Sequence, residues 1–157
     1  MMPAEWAALL RQSVDAFNRH RSSHPDDPVT LFEQDLSYAD LQRVNLAGAD
    51  LRRCQMQGCN LAHANLDEAR MDLANLRSAS LVGASLRRVS LFSGTFQGAN
   101  LRHTAFHGAN LRKVSFCDAD LRGAIFTGAD FSEADLRWAN FEVDHLADAD
   151  LSAARIR

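Results

Sequence analysis

The chain of 157 residues contains three cysteines, one lysine, one tyrosine and no long apolar run. A membrane-spanning helix needs about 18 or more consecutive apolar residues, so the sequence predicts no membrane span. The first residues also lack a basic stretch followed by a long apolar segment, and we therefore expect no secretory signal peptide. Because Cys54, Cys59 and Cys117 are odd in number, we predict reduced thiols and a cytoplasmic location.

A strong charge of either sign is also absent. Seventeen Lys and Arg residues stand against 20 Asp and Glu residues, for a formal net charge of −3. A net charge this small gives no global field that would favour nucleic acid or an anionic membrane as a partner. With 46% hydrophobic and 24% charged residues, the composition is that of a folded domain.

What the sequence does contain is a period of five. Every fifth residue from Leu36 to Ile156 is Leu, Met, Phe or Ile, over 25 positions. Two residues before each large residue the side chain is nearly always small, as at Ala99 and Ala109, and a polar residue lies between them. Helices place apolar residues about 3.6 apart and strands 2 apart, so neither element explains this spacing.

A small, a polar and a large residue in succession point in, out and in, which is three residues of strand alternation. An odd spacing of five restarts this alternation in every unit, so the chain must bend within the two remaining residues. Those two residues are rich in Gly, Arg, Ser and Asp, as turns prefer. We predict a coil whose walls are short strand pieces and whose successive turns hydrogen-bond to one another.

The number of walls is indicated by the large residues. From Phe96 to Phe126 they alternate between Phe and Leu. Four walls per coil would stack Phe on Phe and Leu on Leu, whereas three walls would mix them in every column. Four walls are therefore favoured.

The units ANLRK, ADLRG, GADLR and GANLR resemble the pentapeptide-repeat family, whose pattern is A(D/N)LXX. The resemblance implies an all-β solenoid over residues 34–157, a right-handed quadrilateral β-helix of about six coils. Residues 1–33 are then an amino-terminal helix and linker that cap the first coil. We expect one amphipathic helix from residue 3 to about 20, with an apolar stripe of Trp6, Leu9, Leu10, Val14 and Phe17. The alternative is a helix that binds a membrane surface or a partner.

The carboxyl end carries large residues in repeat register without a predicted cap, namely Phe141, Leu146, Leu151 and Ile156. The resemblance to topoisomerase-protecting members implies a homodimer through this end. The alternatives are that the chain is a piece of a longer one, or that charges alone shield the end. Asp144, at an inward position, and its neighbour His145 would distort the last coils.

No arrangement for catalysis is predicted. His103 and His107 are separated by a corner, and His63 and His103 lie about 10 Å apart on one wall, too far to share a metal. Cys54 and Cys59 occupy inward positions. Cys117 points outward, where it is either an incidental thiol, the favoured interpretation, or a site of oxidation or crosslinking. Because the interior is filled by its own side chains, we expect no enzyme activity, no cofactor and no metal.

The outer surface shows charge segregation along the chain. Residues 73–117 hold six bases and no acid, and residues 118–150 are strongly acidic. The predicted acidic belt consists of Asp118, Asp120, Asp130, Glu133, Asp135, Glu142, Asp148 and Asp150. Outward apolar residues indicate a candidate partner patch at Leu73, Phe92, Trp138 and Val143, and Ile125 also replaces an outward polar residue.

The resemblance implies a non-catalytic protein-interaction rod. In topoisomerase-protecting members such a rod imitates DNA, so binding to a DNA gyrase-like enzyme is the most specific hypothesis. No wall is acidic along its length, which gives the DNA-mimic interpretation only weak support. The alternatives are a structural scaffold that assembles through its carboxyl end, and nucleic-acid binding through the central bases, which lack interleaved aromatic residues.

Overall fold

The computed structural model of the chain describes residues 1–142, 146 and 148–156. Two helices come first, α1 (Pro3–Gln12) and α2 (Val14–Ser23), and a solenoid follows. Within the described residues the solenoid has isolated parallel β-bridges rather than extended strands, because each side of a coil contributes only one bridging residue. No helix in this part of the chain is both long and apolar enough to cross a membrane.

The solenoid repeats every 20 residues. Its bridges join positions 20 apart, from Thr30 with Asp50 to Asp135 with Arg155. Four five-residue units make one coil, so each coil has four sides and the bridged residues span about six coils. The repeat begins before the predicted boundary at residue 34, because Thr30 is already bridged and Leu31 is fully buried.

The backbone of one unit explains the residue pattern. In residues 99–103, four of the five amides donate to backbone carbonyls, either of a neighbouring coil or within the turn. The fifth amide, that of Arg102, donates to the side-chain Oδ1 of Asn100 at 3.3 Å. In another unit Asp130 Oδ1 accepts in the same way from the amide of Ser132 at 2.9 Å. Asn and Asp recur at this position because they satisfy the one amide that the coil leaves free.

Each corner is a type II turn. In the first one the amide of Gln34 donates to the carbonyl of Leu31 at 2.9 Å, and Glu33 has a φ of +59°. The equivalent position has a positive φ in every unit from residue 33 to residue 138 and again at Ala153, and 16 of these residues are not glycine. A side chain in this conformation costs roughly 1–2 kcal/mol. The strain is held by the coil, since the amide of Glu33 donates to the carbonyl of Arg52 at 3.0 Å.

The interior is a continuous column of large side chains. Phe96 stacks on Phe116 with ring centroids 5.4 Å apart, and Phe106 stacks on Phe126 at 5.3 Å. Phe therefore lies over Phe on two sides, as the alternation in the sequence predicts. Burying each such side chain contributes roughly 1.5–3 kcal/mol.

The small inward positions hold one buried hydroxyl and two buried thiols. Thr104 Oγ1 donates to the carbonyl of Leu81 at 2.9 Å, and Cys54 Sγ lies 2.8 Å from the carbonyl of Leu31. Thr104 and Cys54 thus replace the usual alanine, and each donates to a backbone carbonyl inside the core.

The single amino-terminal helix predicted from the sequence is wrong, because two helices meet at Ser13. This residue is extended, with a φ of −166°, and its Oγ accepts from the amide of Ala16 at 3.1 Å. Ser13 is thus the N-cap of α2, and the break lets both helices lie against the first coil.

The apolar stripe of the two helices covers the amino end of the solenoid. Trp6, Leu10 and Phe17 are buried, and Leu9 and Val14 are half-buried against the core. The rings of Trp6 and Phe17 meet edge to face, with centroids 5.5 Å apart.

Candidate protein-binding surfaces

The four sides are named here by their first inward large residue. Side A begins with Leu31, side B with Leu36, side C with Leu41 and side D with Leu46, and each recurs every 20 residues. Outward side chains on one side therefore form columns along the rod, with neighbours 20 positions apart.

Side A carries two residues of the predicted partner patch. Leu73 and Phe92 are 49% and 39% exposed, and they are neighbours because the amide of Leu73 donates to the carbonyl of Phe92 at 3.0 Å. A depression of about 430 Å³ adjoins Leu73 and is lined by Phe32, Arg52, Arg53, Asp72 and Leu73. We call Phe32, Leu73 and Phe92, with this depression, the side A patch.

Cations lie over the aromatic rings of this patch. The guanidinium carbon of Arg52 is 5.4 Å from the ring centroid of Phe32, and Lys113 Nζ is 5.7 Å from that of Phe92. Such contacts contribute about 0.5–1 kcal/mol at exposed sites. Sequence reasoning missed Phe32, whose signal was its place in the same outward column as Phe92.

The other two residues of the predicted patch lie elsewhere. Trp138 is on side B and is 70% exposed, with the guanidinium carbon of Arg137 at 5.2 Å from its ring centroid. Val143, and with it Asp144 and His145, lies outside the described residues. The structure therefore brings Leu73 and Phe92 together but does not join Trp138 to them.

The predicted acidic belt is distributed over all four sides. By side, its members lie on A (Asp130, Glu133, Asp150), B (Asp118, Asp135), C (Asp120, Glu142) and D (Asp148). Several of them have basic partners. Arg112 lies 4.0 Å from Asp130 and Lys113 lies 3.5 Å from Glu133, so the basic zone of one coil partly neutralises the acids of the next.

A second kind of pairing lies within single units of sequence D-L-R. Arg137 Nη2 is 2.7 Å from Asp135 Oδ2, and Arg122 Nη2 is 2.6 Å from Asp120 Oδ2. The hydrogen bond from the Arg137 side chain, against the opposing effect of burial, holds the pKa of Asp135 at about 2. The Arg122 side chain likewise lowers the pKa of Asp120. These carboxylates stay ionised but are locally neutralised.

The bases of residues 73–117 lie on different sides of the rod. They are distributed over sides A (Arg112, Lys113), B (Arg77), C (Arg102) and D (Arg87, Arg88). Arg88 forms an ion pair with Glu68, and Arg77 donates to Gln97. The zone is basic along the axis without forming one continuous groove.

The large residues of the carboxyl end differ in exposure. Leu146 is buried, Phe141 and Leu151 are half-buried, and Ile156 is 44% exposed. Among the large repeat residues described at this end, Ile156 is therefore the most exposed.

The thiols and imidazoles do not form a reactive group. Burial raises the pKa of both Cys54 and Cys59 to about 12, so neither is a thiolate at neutral pH. Cys117 lies on the outer surface as predicted, but it is only 9% exposed, and its predicted accessibility is wrong. Neighbouring side chains therefore cover most of its surface. Within the described ranges, no three His, Cys, Asp or Glu residues converge on a point that could hold a metal.

The sequence pattern of the family described as pentapeptide repeats matches the chain in eight copies, at residues 35–72, 54–92, 69–108 and 105–142. The chain belongs to the pentapeptide repeat family. The resemblance found in the sequence is thereby confirmed. No curated protein matches this pentapeptide repeat protein by sequence.

This chain is similar to solved pentapeptide repeat proteins, two of them with TM-scores of 0.50 or above. HetL, involved in heterocyst differentiation regulation in the cyanobacterium Nostoc sp. strain PCC 7120, is 30% identical with a TM-score of 0.50, over 84% of this chain and 72% of HetL. A protein of the Arabidopsis thaliana thylakoid lumen is 28% identical with a TM-score of 0.51, over 63% of this chain and 72% of its own. QnrB1, a plasmid-mediated fluoroquinolone resistance protein, is 19% identical with a TM-score of 0.44, over 83% and 84% of the two chains.

Proposed function

We propose that this pentapeptide repeat protein is a non-catalytic rod, wound as a right-handed quadrilateral β-helix, that binds another protein through the side A patch. The observation that carries the proposal is the exposure of Leu73 and Phe92 side by side on a surface that is otherwise mostly polar. Contiguous apolar surface with a polar rim is typical of protein-binding sites.

The chemistry of the patch defines the partner. The depression beside Leu73, which Phe32 also lines, accepts an apolar side chain. Arg53, which is well exposed although it pairs with Glu33 at 3.0 Å, offers its remaining donors to a carboxylate. The partner is therefore a protein segment with an apolar anchor next to an acidic residue.

The test compares two variants of matched chemistry. Leu73→Asn removes the anchor contact and keeps the turn, because Asn tolerates the φ of +62° at this position. Tyr38→Asn is the control, since Tyr38 is 74% exposed at the equivalent position of side B. Partners captured from the native cytoplasm should be lost with Leu73→Asn and retained with Tyr38→Asn. Hydrogen exchange on the retained complex should show protection at residues 71–75 and 90–93, and protection elsewhere would contradict the proposal.

Two features support a role without catalysis and a cytoplasmic location. The interior is filled by Leu, Phe and Ala, and the buried thiols of Cys54 and Cys59 are protonated at neutral pH. The three cysteines are free, which suits a reducing compartment.

A DNA gyrase-like partner remains a hypothesis from the family resemblance. Imitation of DNA needs rows of unpaired negative charge, whereas Asp120, Asp135 and Asp50 each lie within 2.7 Å of an arginine in their own unit. A gyrase supercoiling assay with and without a fluoroquinolone tests it. Inhibition or protection at micromolar protein would support it, and the absence of both would end it.

Assembly through the carboxyl end is the alternative role as a scaffold. Its strongest support is Ile156, which is exposed at the last described coil. The change Ile156→Asp would abolish an end-to-end dimer measured by sedimentation. A dimer that survives this change would have to form through another surface.

A further inference from the structure

In two successive coils, side D lacks the hydrogen bond from a backbone amide to the side chain two residues earlier. In an earlier coil of this side, Asn65 Oδ1 accepts from the amide of Asp67 at 3.0 Å. Ala105 and Ile125 occupy the equivalent positions and cannot accept, so the amide of His107 has no such bond within its unit. The apolar side chains at these positions therefore remove a hydrogen bond that most other units make. They also expose apolar surface to solvent.

The outward residues of side D in these two coils carry no charge, and the Arg88 side chain of the preceding coil lies 3.5 Å from a β-carbon built on Gly108. Ile125 is 47% exposed, and the corner next to it is formed by Gly108 and Gly128 in one column. A β-carbon on Gly128 would meet nothing closer than the backbone of Gly108, at 4.0 Å. His107 and Thr127 complete the surface, and the Nδ1 atom of His107 is buried without a hydrogen-bond partner. We call this surface the side D face; it consists of Ala105, His107, Gly108, Ile125, Thr127 and Gly128.

We propose that the side D face binds a second copy of this chain, with the two rods antiparallel and side by side. The two-fold axis lies in the interface, perpendicular to the rods, between the coils of Ala105 and Ile125. This symmetry places each outward column against the same column of the partner. Ile125 then packs on the partner's Ala105, and Gly108 meets the partner's Gly128. The large side chain lies opposite the small one at each contact.

The charges that flank the face agree with this register. In the glycine column, Arg88 lies one coil before Gly108, and Asp148 lies one coil after Gly128. The antiparallel arrangement brings Arg88 against the partner's Asp148, twice in each dimer. Arg88 already pairs with Glu68, but a guanidinium has five donors and can bind both carboxylates. In a parallel pair of rods, the glycine column would face a different column of the partner. Arg88 would then not meet the partner's Asp148.

The contact area between the two chains indicates a weak dimer. Four coils at about 4.8 Å each give a contact roughly 20 Å long, and a width of about 15 Å gives some 300 Å² per chain. Stable interfaces bury about 800 Å² per partner, so we expect a weak dimer that forms only at high protein concentration. This inference is independent of the proposed function, which uses side A.

Sedimentation velocity of the full chain, from about 5 to about 500 µM at low ionic strength, tests the proposal. Ile125→Asn is the informative variant because Asn restores an acceptor for the amide of Thr127 and should leave the melting temperature unchanged or higher. We expect it to weaken association by about tenfold or more. Tyr38→Asn, a change to the same residue at an exposed position of side B, is the matched control and should leave association unchanged.

A charge exchange tests the register. Asp148→Arg should weaken the dimer several-fold because it sets two cations together, and Arg88→Glu should do the same. The double variant should restore association to within about threefold of the original. Since the backbone carbonyl of Asp148, not its side chain, accepts from Gly128, the coil is expected to tolerate the change.

Three outcomes would overturn the inference. The first is a chain that stays monomeric up to about 500 µM. The second is a dimer abolished by Ile156→Asp but retained by Ile125→Asn, which would assign association to the carboxyl end. The third is a double charge variant that associates no better than either single one.

Discussion

The ring of Tyr38 lies over Gly58, its neighbour one coil along the rod. A β-carbon on Gly58 would lie 2.7 Å from both Cδ1 and Cε1 of that ring. His63 has the same relationship to Gly83, where a β-carbon would lie 2.8 Å from the imidazole Nδ1. A large ring at a left-handed corner is thus accommodated because the next corner in its column has no side chain.

This relationship predicts different costs for two glycine substitutions. Gly48 and Gly58 have φ values of +67° and +63°, but nothing lies within 4 Å of a β-carbon at Gly48. Gly48→Ala should lower the free energy of unfolding by about 1 kcal/mol through backbone strain alone. Gly58→Ala should lower the free energy of unfolding by about 0.5–1 kcal/mol more than Gly48→Ala does, because the Tyr38 ring must also move.

Urea unfolding of both variants, alone and combined with Tyr38→Ala, separates strain from crowding. With Tyr38→Ala present, the two glycine substitutions should cost the same. If Gly58→Ala still lowers the free energy of unfolding more than Gly48→Ala does in the Tyr38→Ala background, crowding by Tyr38 is not the cause.

The stacked phenylalanines predict a large loss on truncation. Phe106 is fully buried and contacts Phe126 face to face at 5.3 Å. Phe106→Ala should lower the free energy of unfolding by about 3–5 kcal/mol, because it removes buried surface and leaves a cavity. Phe92→Ala, at an exposed position of side A, should cost less than about 1 kcal/mol. Equal costs in thermal or urea unfolding would mean that the rod interior is not where the repeat places it.

The inside of the rod was predictable from the sequence because a physical rule fixes it. A large residue at every fifth position must turn inward in every unit, and all those from Leu31 to Leu136 are buried. The four sides followed from the Phe and Leu alternation, and Phe96 does stack on Phe116.

The outside was less predictable because it depends on contacts between coils. The pairing of Asp135 with Arg137 follows from a spacing of two, which a charge count over a segment does not detect. The low exposure of Cys117 depends on its neighbours in adjacent units. The helix break at Ser13 depends on a side-chain cap, which a search for apolar spacing does not consider.

The contact of α2 with the first coils predicts a local effect at Asn18. Its Nδ2 donates to the carbonyl of Arg43 at 3.0 Å, and its Oδ1 accepts from the amide of Asn45 at 2.9 Å. Asn18→Ala should cost about 1–2 kcal/mol by removing both bonds. Asn18→Asp keeps the acceptor and should cost less. Amide exchange at Asn45 should accelerate in the alanine variant only, and equal protection in both variants would contradict this role.

The ion pair of Asp135 predicts a dependence of stability on pH. The pKa of this carboxyl is about 2 in the folded chain, below the ordinary value of about 3.9. A lowered pKa stabilises the folded state above about pH 4, and this contribution is lost as the pH falls from about 4 through 2. Asp135→Asn keeps an oxygen acceptor for the amide of Arg137 but carries no charge. It should therefore be less stable than the original chain at pH 7, by about 1 kcal/mol after solvent screening.

The difference between the two chains, measured by urea unfolding from about pH 7 down to about pH 2, should shrink to a small part of its neutral-pH value at the acidic end. Glu68→Gln, in the more exposed pair with Arg88, is the control and should change stability by less than about 0.5 kcal/mol at pH 7. Because protonation of Asp135 removes the same charge as the substitution, a difference that keeps its full size at pH 2 could not arise from the ion pair. It would have to come from the packing of the side chain instead.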